Sequence, residues 1–349
     1  MVYSRMVSRL LLGAALCLPL AACEQPAVTW ADAVPQRTGH PSPLAHPPFV
    51  PYDSTLVATT PYAAFLETQD RWREAGATSL LLTQLVGMPE SRETLTSAAT
   101  IPSMGTGPAA ETPLGEGAAP IDTLRCARSL RIVTAGGKDP KQGHGQVAVW
   151  WTRATGGRVH LMAAWRDSVP GEPMQASWRG PIPVDTLDQG PRDAQAADRG
   201  AYGCARPAPS LAVDSINGYV HVAYALTGPE GPGIFYAHQM TPHALFEPPV
   251  AVLYGAHLGV VRVASDGDLV AVAYEDPNSR TRGRIGLAIS RTAGHIFEER
   301  QMASVGSTDS RDPHVVARGR AVVVGWSELA SSPASSAEPT FLTRRARVH

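Results

Sequence analysis

Charge is what this sequence has least of. Among 349 residues only 17% are charged, and 30 Lys and Arg balance 31 Asp and Glu. Without a basic surplus a phosphate backbone cannot be neutralised, so nucleic acid is excluded as the expected partner. Cysteine is scarce as well: Cys17 and Cys23 near the start, Cys126 and Cys204 in the body of the chain. The apolar run Leu10 to Leu20 is interrupted by Pro19, and it falls well short of the ~20 residues a membrane-crossing helix needs. Several catalytic signatures are missing. Gly325-Trp-Ser-Glu-Leu329 lacks the second Gly of a nucleophile elbow, and Gly136-Gly-Lys138 lacks the spacing and hydroxyl of a phosphate loop. No His-Glu-x-x-His stretch occurs, and His40 and His46 have too few companions to hold a metal. Asp266-Gly-Asp268 reads as a turn rather than a calcium loop. No cofactor and no metal is expected.

Glycine (32) and proline (31) are abundant, the composition of many turns between short strands. One stretch recurs. Pro209 to Leu226 holds an apolar strand ending at Asp214, a Ser-Ile-Asn-Gly turn, and a second strand with Val220, Val222 and Tyr224. The same order returns at Val260 to Tyr274 and at Pro313 to Trp326, with a looser copy ending in Gln146 to Thr152. Aligned on their second strands, Val149, Val222, Val272 and Val324 are equivalent, at spacings of 73, 50 and 52. Third strands are expected at Gly233–His238, Arg284–Ile289 and Thr340–Arg344, with a fourth at Val250–Leu253. The first unit pairs Gln146–Arg153 with Arg158–Arg166 through a Gly-containing hairpin, and Met174–Arg179 is expected to close it. Pro181–Gly203 reads as an inserted loop. Four strands per unit, repeated about every 50 residues, predict an all-β fold, a β-propeller of four-stranded blades. Another type of propeller and a β-sandwich pair are the other arrangements such strands permit.

Arg5 and Arg9 precede the apolar run, which ends in Leu20-Ala-Ala-Cys23. This resembles the lipobox of bacterial lipoproteins. The resemblance implies a signal peptide over residues 1–22, lipidation of Cys23, and attachment to a membrane of the cell envelope. Residue 24 is Glu rather than Asp, which in that family favours the outer membrane over the inner. Residues 23–51 carry Pro26, Pro35, Pro41, Pro43, Pro47, Pro48 and Pro51, and read as an extended tether without regular structure. Residues 52–123 are ambiguous: Tyr62 to Arg73 suits a helix, Ser79 to Val86 a buried strand, and residues 97–120 a flexible loop. The β repeats occupy 124–349. In an exported chain Cys126 and Cys204, each opening a Cys-Ala-Arg tripeptide, are expected to form a disulfide. Two buried thiols are the alternative.

Ser290-Arg-Thr-Ala-Gly-His-Ile-Phe297 follows a third strand. It resembles the Asp-box of sialidase-like β-propellers, Ser-x-Asp-x-Gly-x-x-Trp, at the place where that family carries it. Ser290 and Gly294 match; Thr292 stands for the Asp and Phe297 for the Trp. The resemblance implies about six blades. Four are plain here, so residues 52–100 would supply the remainder, or an N-terminal strand would complete the last. It also implies a place to look for a site, since sialidases grip a substrate carboxylate with arginines whose planar fork matches it. Arg128, Arg206, Arg311 and Asp312 precede first strands and are the candidates to line a central pocket. The family's Arg-Ile-Pro motif is absent, with Arg311-Asp-Pro313 the nearest text. The second strands run into Tyr224, Tyr274-Glu-Asp276 and Trp326-Ser-Glu328. Glu275 and Glu328 are read there as equivalent, hence structural. The expected function is binding or scaffolding for a glycan or an envelope protein. The alternatives are a sialidase-type glycoside hydrolase and a purely structural envelope protein.

Overall fold

The computed structural model describes residues 27–36, 122, 126, 129–136, 144–166, 179–190, 206–241, 244–279, 282–306, 308–329 and 340–349. Apart from one 3-10 turn at Thr155–Gly157, every regular element there is a strand. Sheet I holds β3 (Arg131–Gly136), β4 (His144–Arg153), β5 (Val159–Arg166) and β6 (Arg179–Asp185). Sheet II holds β7 (Ser210–Val213), β8 (Val220–Gly228), β9 (Gly231–Gln239) and β10 (Val250–Tyr254). Sheet III holds β11 (Val261–Asp266), β12 (Leu269–Glu275), β13 (Ile285–Ser290) and β14 (Glu299–Met302). Sheet IV holds β15 (Asp309–Arg318), β16 (Ala321–Leu329) and β17 (Thr340–Val348), joined by β1 (Val28–Trp30) and β2 (Val34–Gln36). Within sheets I to III each strand pairs antiparallel with the next in sequence.

The fold is a β-propeller. First strands lie innermost: β7, β11 and β15, from three different sheets, line a common cavity of about 230 Å³ through Val213, Val263 and Val316 among others. A sandwich pair would have no such axis. Neighbouring sheets bury both faces of each second strand, and β8 and β12 are buried along their whole length. That is why their sequences read as unbroken Val, Ala and Tyr rather than as an alternation. Two successive contacts repeat from sheet to sheet. Asp214 Oδ2, past the end of β7, accepts the Gly267 N–H of the next sheet's first turn at 2.7 Å, and Asp266 at the end of β11 accepts the N–H of Gly319 one sheet further on. First-to-second and third-to-fourth turns therefore share one face of the disc, here the lower. Hairpins between second and third strands, and the connections between sheets, share the upper.

Four readings from the sequence need correction. The tether assigned to 23–51 contains two strands: β1 pairs with β17 in the register Val28↔Val348 to Trp30↔Ala346, and β2 pairs with it at Val34↔Thr343. An N-terminal strand does complete the last sheet. Pro35 is tolerated because β2 is an edge strand, where a missing N–H costs no ladder bond. Pro181–Gly203 is not wholly a loop, because β6 runs from Arg179 through Asp185 and closes sheet I, sharing only Arg179 with the expected Met174–Arg179. The alignment of Val149 slips by one. Val222, Val272 and Val324 face the preceding sheet, whereas Val149 packs with Val222 from the opposite side. The true counterpart is Ala148, and with it Trp150, Tyr224, Tyr274 and Trp326 form one aromatic column. The looser first copy hid this, and in a strand a one-residue slip exchanges the two faces. Finally, Glu275 and Glu328 are not equivalent: Tyr274 aligns with Trp326, so Glu275 aligns with Ser327. The expectations for residues 62–73, 79–86 and 97–120 lie outside the described residues, as do any blades beyond these four.

Candidate functional site

The upper ends of sheets III and IV bring together six polar side chains. β15 is bulged between Arg311 and His314, and Asp312 takes a left-handed backbone at φ 52°, an unfavourable state for a residue with a Cβ. Glu275, at the end of β12, holds the bulge in place. Its Oε1 accepts the Asp312 N–H at 3.0 Å and its Oε2 accepts the Val260 N–H at 3.0 Å. Burial pushes the Glu275 carboxyl up from its ordinary range, opposed by the Arg311 charge and by these two N–H groups. Arg311 is itself buried and grips Asp309 with its fork, Nε to Oδ1 at 2.9 Å and Nη2 to Oδ2 at 3.2 Å. Asp309 also accepts the N–H of Gly283.

What stays open is smaller. Asp312 carries its carboxylate between Arg262 Nη2 at 3.4 Å and His314 Nε2 at 3.6 Å. The three side chains retain 14%, 30% and 11% of their exposure respectively. Arg262 and His314 hold the same position on consecutive inner strands, each one residue before the valine (Val263, Val315) that pairs with the second-strand valine of its own sheet. Ser210 holds that position on β7, where its hydroxyl accepts the Val263 N–H at 3.0 Å. One ladder level of the inner strands thus presents polar groups towards the next sheet. Chemically the trio offers a cation, an anion and an imidazole at the disc axis, a set that suits hydroxyl-rich or mixed-charge ligands.

A second buried group sits between sheets I and II. Arg206 Nη2 lies 2.9 Å from both oxygens of Asp188, with the two side chains 1% and 0% exposed. Asp188 further accepts the N–H groups of Val159 at 2.9 Å and Thr227 at 3.4 Å. Beside it, Tyr224 Oη donates to Asp185 Oδ2 at 2.5 Å. Burial raises the Asp185 carboxyl, and the Tyr224 hydrogen bond opposes that shift. Tyr224 is raised too, first by burial and then by the Asp185 charge. These residues lock the two sheets together and are closed to solvent.

Of the residues singled out in the sequence, Asp312 alone sits in the open trio. Arg206 and Arg311 are committed to carboxylates of the protein and cannot line a pocket as expected. Desolvated arginines need partners, and Asp188 and Asp309 were hidden, one in an assumed loop, the other two residues ahead of Arg311. Arg128, Cys23 and Cys204 lie outside the described residues. Cys126 is disulfide-bonded, to a residue that also lies outside them. Arg262 and His314 were missed. Their signal was the shared ladder position, legible only after the register had been set correctly.

On the lower face, the turn Ser290–Phe297 joins β13 to β14. Ser290 Oγ accepts the N–H groups of Thr292 at 3.2 Å and Gly294 at 3.0 Å, and Thr292 Oγ1 accepts the Ile296 N–H at 3.0 Å. A hydroxyl here takes an N–H that a carboxylate would also serve. Gly294 has φ 96°, and a Cβ there would lie 1.9 Å from Tyr236 Oη of sheet II. Phe297 is buried against that same ring, edge to face, with centroids 5.0 Å apart. It plugs the seam between sheets II and III.

No family model and no curated protein matches this chain. Among solved structures, it is similar over 61% of its length to Bacteroides ovatus xyloglucan-locus GH43B, at 13% identity and a TM-score of 0.31, covering 38% of that chain. A GH43 endo-arabinanase from Bacillus licheniformis gives 8% identity and a TM-score of 0.33 over 60% of this chain and 70% of that one. The Aleuria aurantia lectin gives 9% and 0.32 over 60% and 61%. Each of the first three solved structures is matched over less than two thirds of its own length. At these TM-scores the likenesses identify no family.

Proposed function

We propose that the protein is a lipid-anchored β-propeller of the cell envelope that binds glycan at its upper face and does not hydrolyse it. The observation that carries the reading is the trio Arg262, Asp312 and His314, held part-exposed on neighbouring inner strands by the buried Glu275 and Arg311 behind it, with Asp309 part-exposed beside them. Sugar hydroxyls both donate and accept, and an arginine beside a carboxylate meets both needs without a net charge. The sialidase alternative asks for arginines free to hold a substrate carboxylate. Arg206 and Arg311 are bound to internal acids, which argues against it.

The turn at Ser290–Phe297 supports placing the chain with the sialidase-like propellers. It lies between third and fourth strands, its hydroxyls cap its own N–H groups, and its aromatic residue closes a seam. The stretch Leu20-Ala-Ala-Cys23 supports export, removal of residues 1–22 and acylation of Cys23, with the outer membrane favoured by Glu24. Cys204 is the expected partner of Cys126.

Binding to an array of bacterial envelope glycans, with a fluorogenic sialoside assay alongside, tests the proposal. Captured glycan that is lost in Arg262→Ala and Asp312→Asn, with no sialoside turnover, is the expected result. Turnover by the unmodified protein would reverse it.

A further inference from the structure

We infer that the lower face of the propeller rests on the bilayer surface, so that the upper face is turned away from the membrane. This rests on the proposed acylation of Cys23, joined to one feature of the fold. β1 starts at Val28 and pairs with Val348 at the lower end of β17. His349 donates its N–H to the Ala27 carbonyl at 3.0 Å, and Val348 donates to Arg320 in the first turn of sheet IV at 2.8 Å. Val28 is the fifth residue after Cys23, and extended chain spans at most ~3.5 Å per residue. The acyl chains are thus within about 17 Å of the lower rim.

The rim is suited to the contact. Its turns carry aliphatic side chains outward: Leu245 is 74% exposed, Ile296 60%, Ile216 44% and Met240 38%, the first two being the most exposed large apolar residues described. The turns of sheets II and III meet there, since His295 beside Ile296 contacts His238 of β9 edge to face at 4.6 Å. Arg318 and Arg320 are exposed at the first turn of sheet IV, next to the entry of the chain. Arg291 bonds the carbonyl of His349 at 2.8 Å and Glu298 at 2.6 Å. Glu247, Asp268 and Glu298 are exposed acids of the same face, on the turns of sheets II and III, and Glu298 is held by Arg291. Aliphatic tips enter the headgroup boundary, and arginines beside an anionic surface add roughly fivefold each in partitioning. An anchored lipoprotein with this geometry offers the Arg262–Asp312–His314 trio to ligands arriving from the aqueous side.

The test places an environment-sensitive fluorophore on the full-length protein at Leu245→Cys or at Glu230→Cys, the latter on an upper hairpin. Each is reconstituted into vesicles of phosphatidylethanolamine and phosphatidylglycerol. A blue shift at position 245 and none at 230 is expected, reduced in Arg318→Glu/Arg320→Glu. A shift at 230 instead, or at neither, overturns the inference. Palmitate incorporation into the same protein, lost in Cys23→Ser, reads the anchor separately. A chain without palmitate whose 245 probe still shifts loses the anchor and keeps the apposition. A chain with palmitate whose 245 probe stays unshifted keeps the anchor and loses the apposition.

Discussion

His221 and His238 face each other across β8 and β9 with both rings buried and neither Nε2 partnered. His221 Nδ1 meets Tyr236 Oη at 2.6 Å. Burial pushes the His221 imidazole down from 6.5 to about 4, partly offset by Asp214 and reinforced by His238. His238 is lowered first by burial and then by His295, with Glu247 opposing. Both are neutral in the fold, and the unfolded chain takes up their protons first. Stability is therefore fully present above the unfolded value and is lost as pH falls from 6.5 towards 4. His221 alone contributes about 3 kcal/mol over that window. Urea midpoints measured from pH 7 to 4 should fall steeply, and His221→Leu should flatten the fall. A second residue-scale expectation concerns Gly294. Adding a methyl where Tyr236 Oη already sits, at a positive φ, should cost about 3 kcal/mol or more in Gly294→Ala. Thermal unfolding of that variant, with Gly319→Ala as a positive-φ comparison facing open space, separates the clash from the backbone term.

At the scale of elements, the exchange that matters is between the two ends of the chain. β17 would be the outer edge of sheet IV without β1 and β2, and Val28 is buried with Val348 and Trp326 in the core between sheets III and IV. Val28→Asp places a charge there with no partner. A loss of about 3–5 kcal/mol is expected, read as a lowered midpoint and as early hydrogen exchange in β17. The bulge in β15 is the other such case. Glu275→Ala frees the Asp312 and Val260 N–H groups and leaves Asp309 to balance Arg311 without its help, so a loss of about 3 kcal/mol is expected. Glycan capture at Asp312 should fall with it, because the strained backbone at Asp312 no longer has its support. Arg262→Ala, by contrast, should leave the unfolding midpoint unchanged within about 0.5 kcal/mol, since that side chain is part-exposed.

Over the whole molecule the repeats act as one body, because each sheet buries its faces only against its neighbours. The disulfide at Cys126 adds a covalent tie. Its pairing with Cys204 would close a loop of nearly eighty residues, and on the chain-entropy model Cys126→Ser should cost about 4 kcal/mol. Peptide mapping without reduction identifies the partner, and a Cys126 peptide linked to any other cysteine would refute the pairing.

The sequence alone determined the repeated first, second and third strands of sheets II to IV and the presence of a central axis, because these depend on local apolar runs and on turns repeated at a fixed interval. Val222, Val272 and Val324 were aligned correctly from residues alone, as was the turn after β13. The tertiary structure decided what depends on contacts across long separations. Prolines made residues 28–36 read as a tether until β17 supplied an edge on which Pro35 costs nothing. Arg206 and Arg311 read as open cations until Asp188 and Asp309 met them. Arg262 and His314, some fifty residues apart, became one site only when two inner strands came side by side around the axis. Periodicity is written along the chain, whereas the desolvation of a charge is fixed by neighbours that the chain brings from elsewhere.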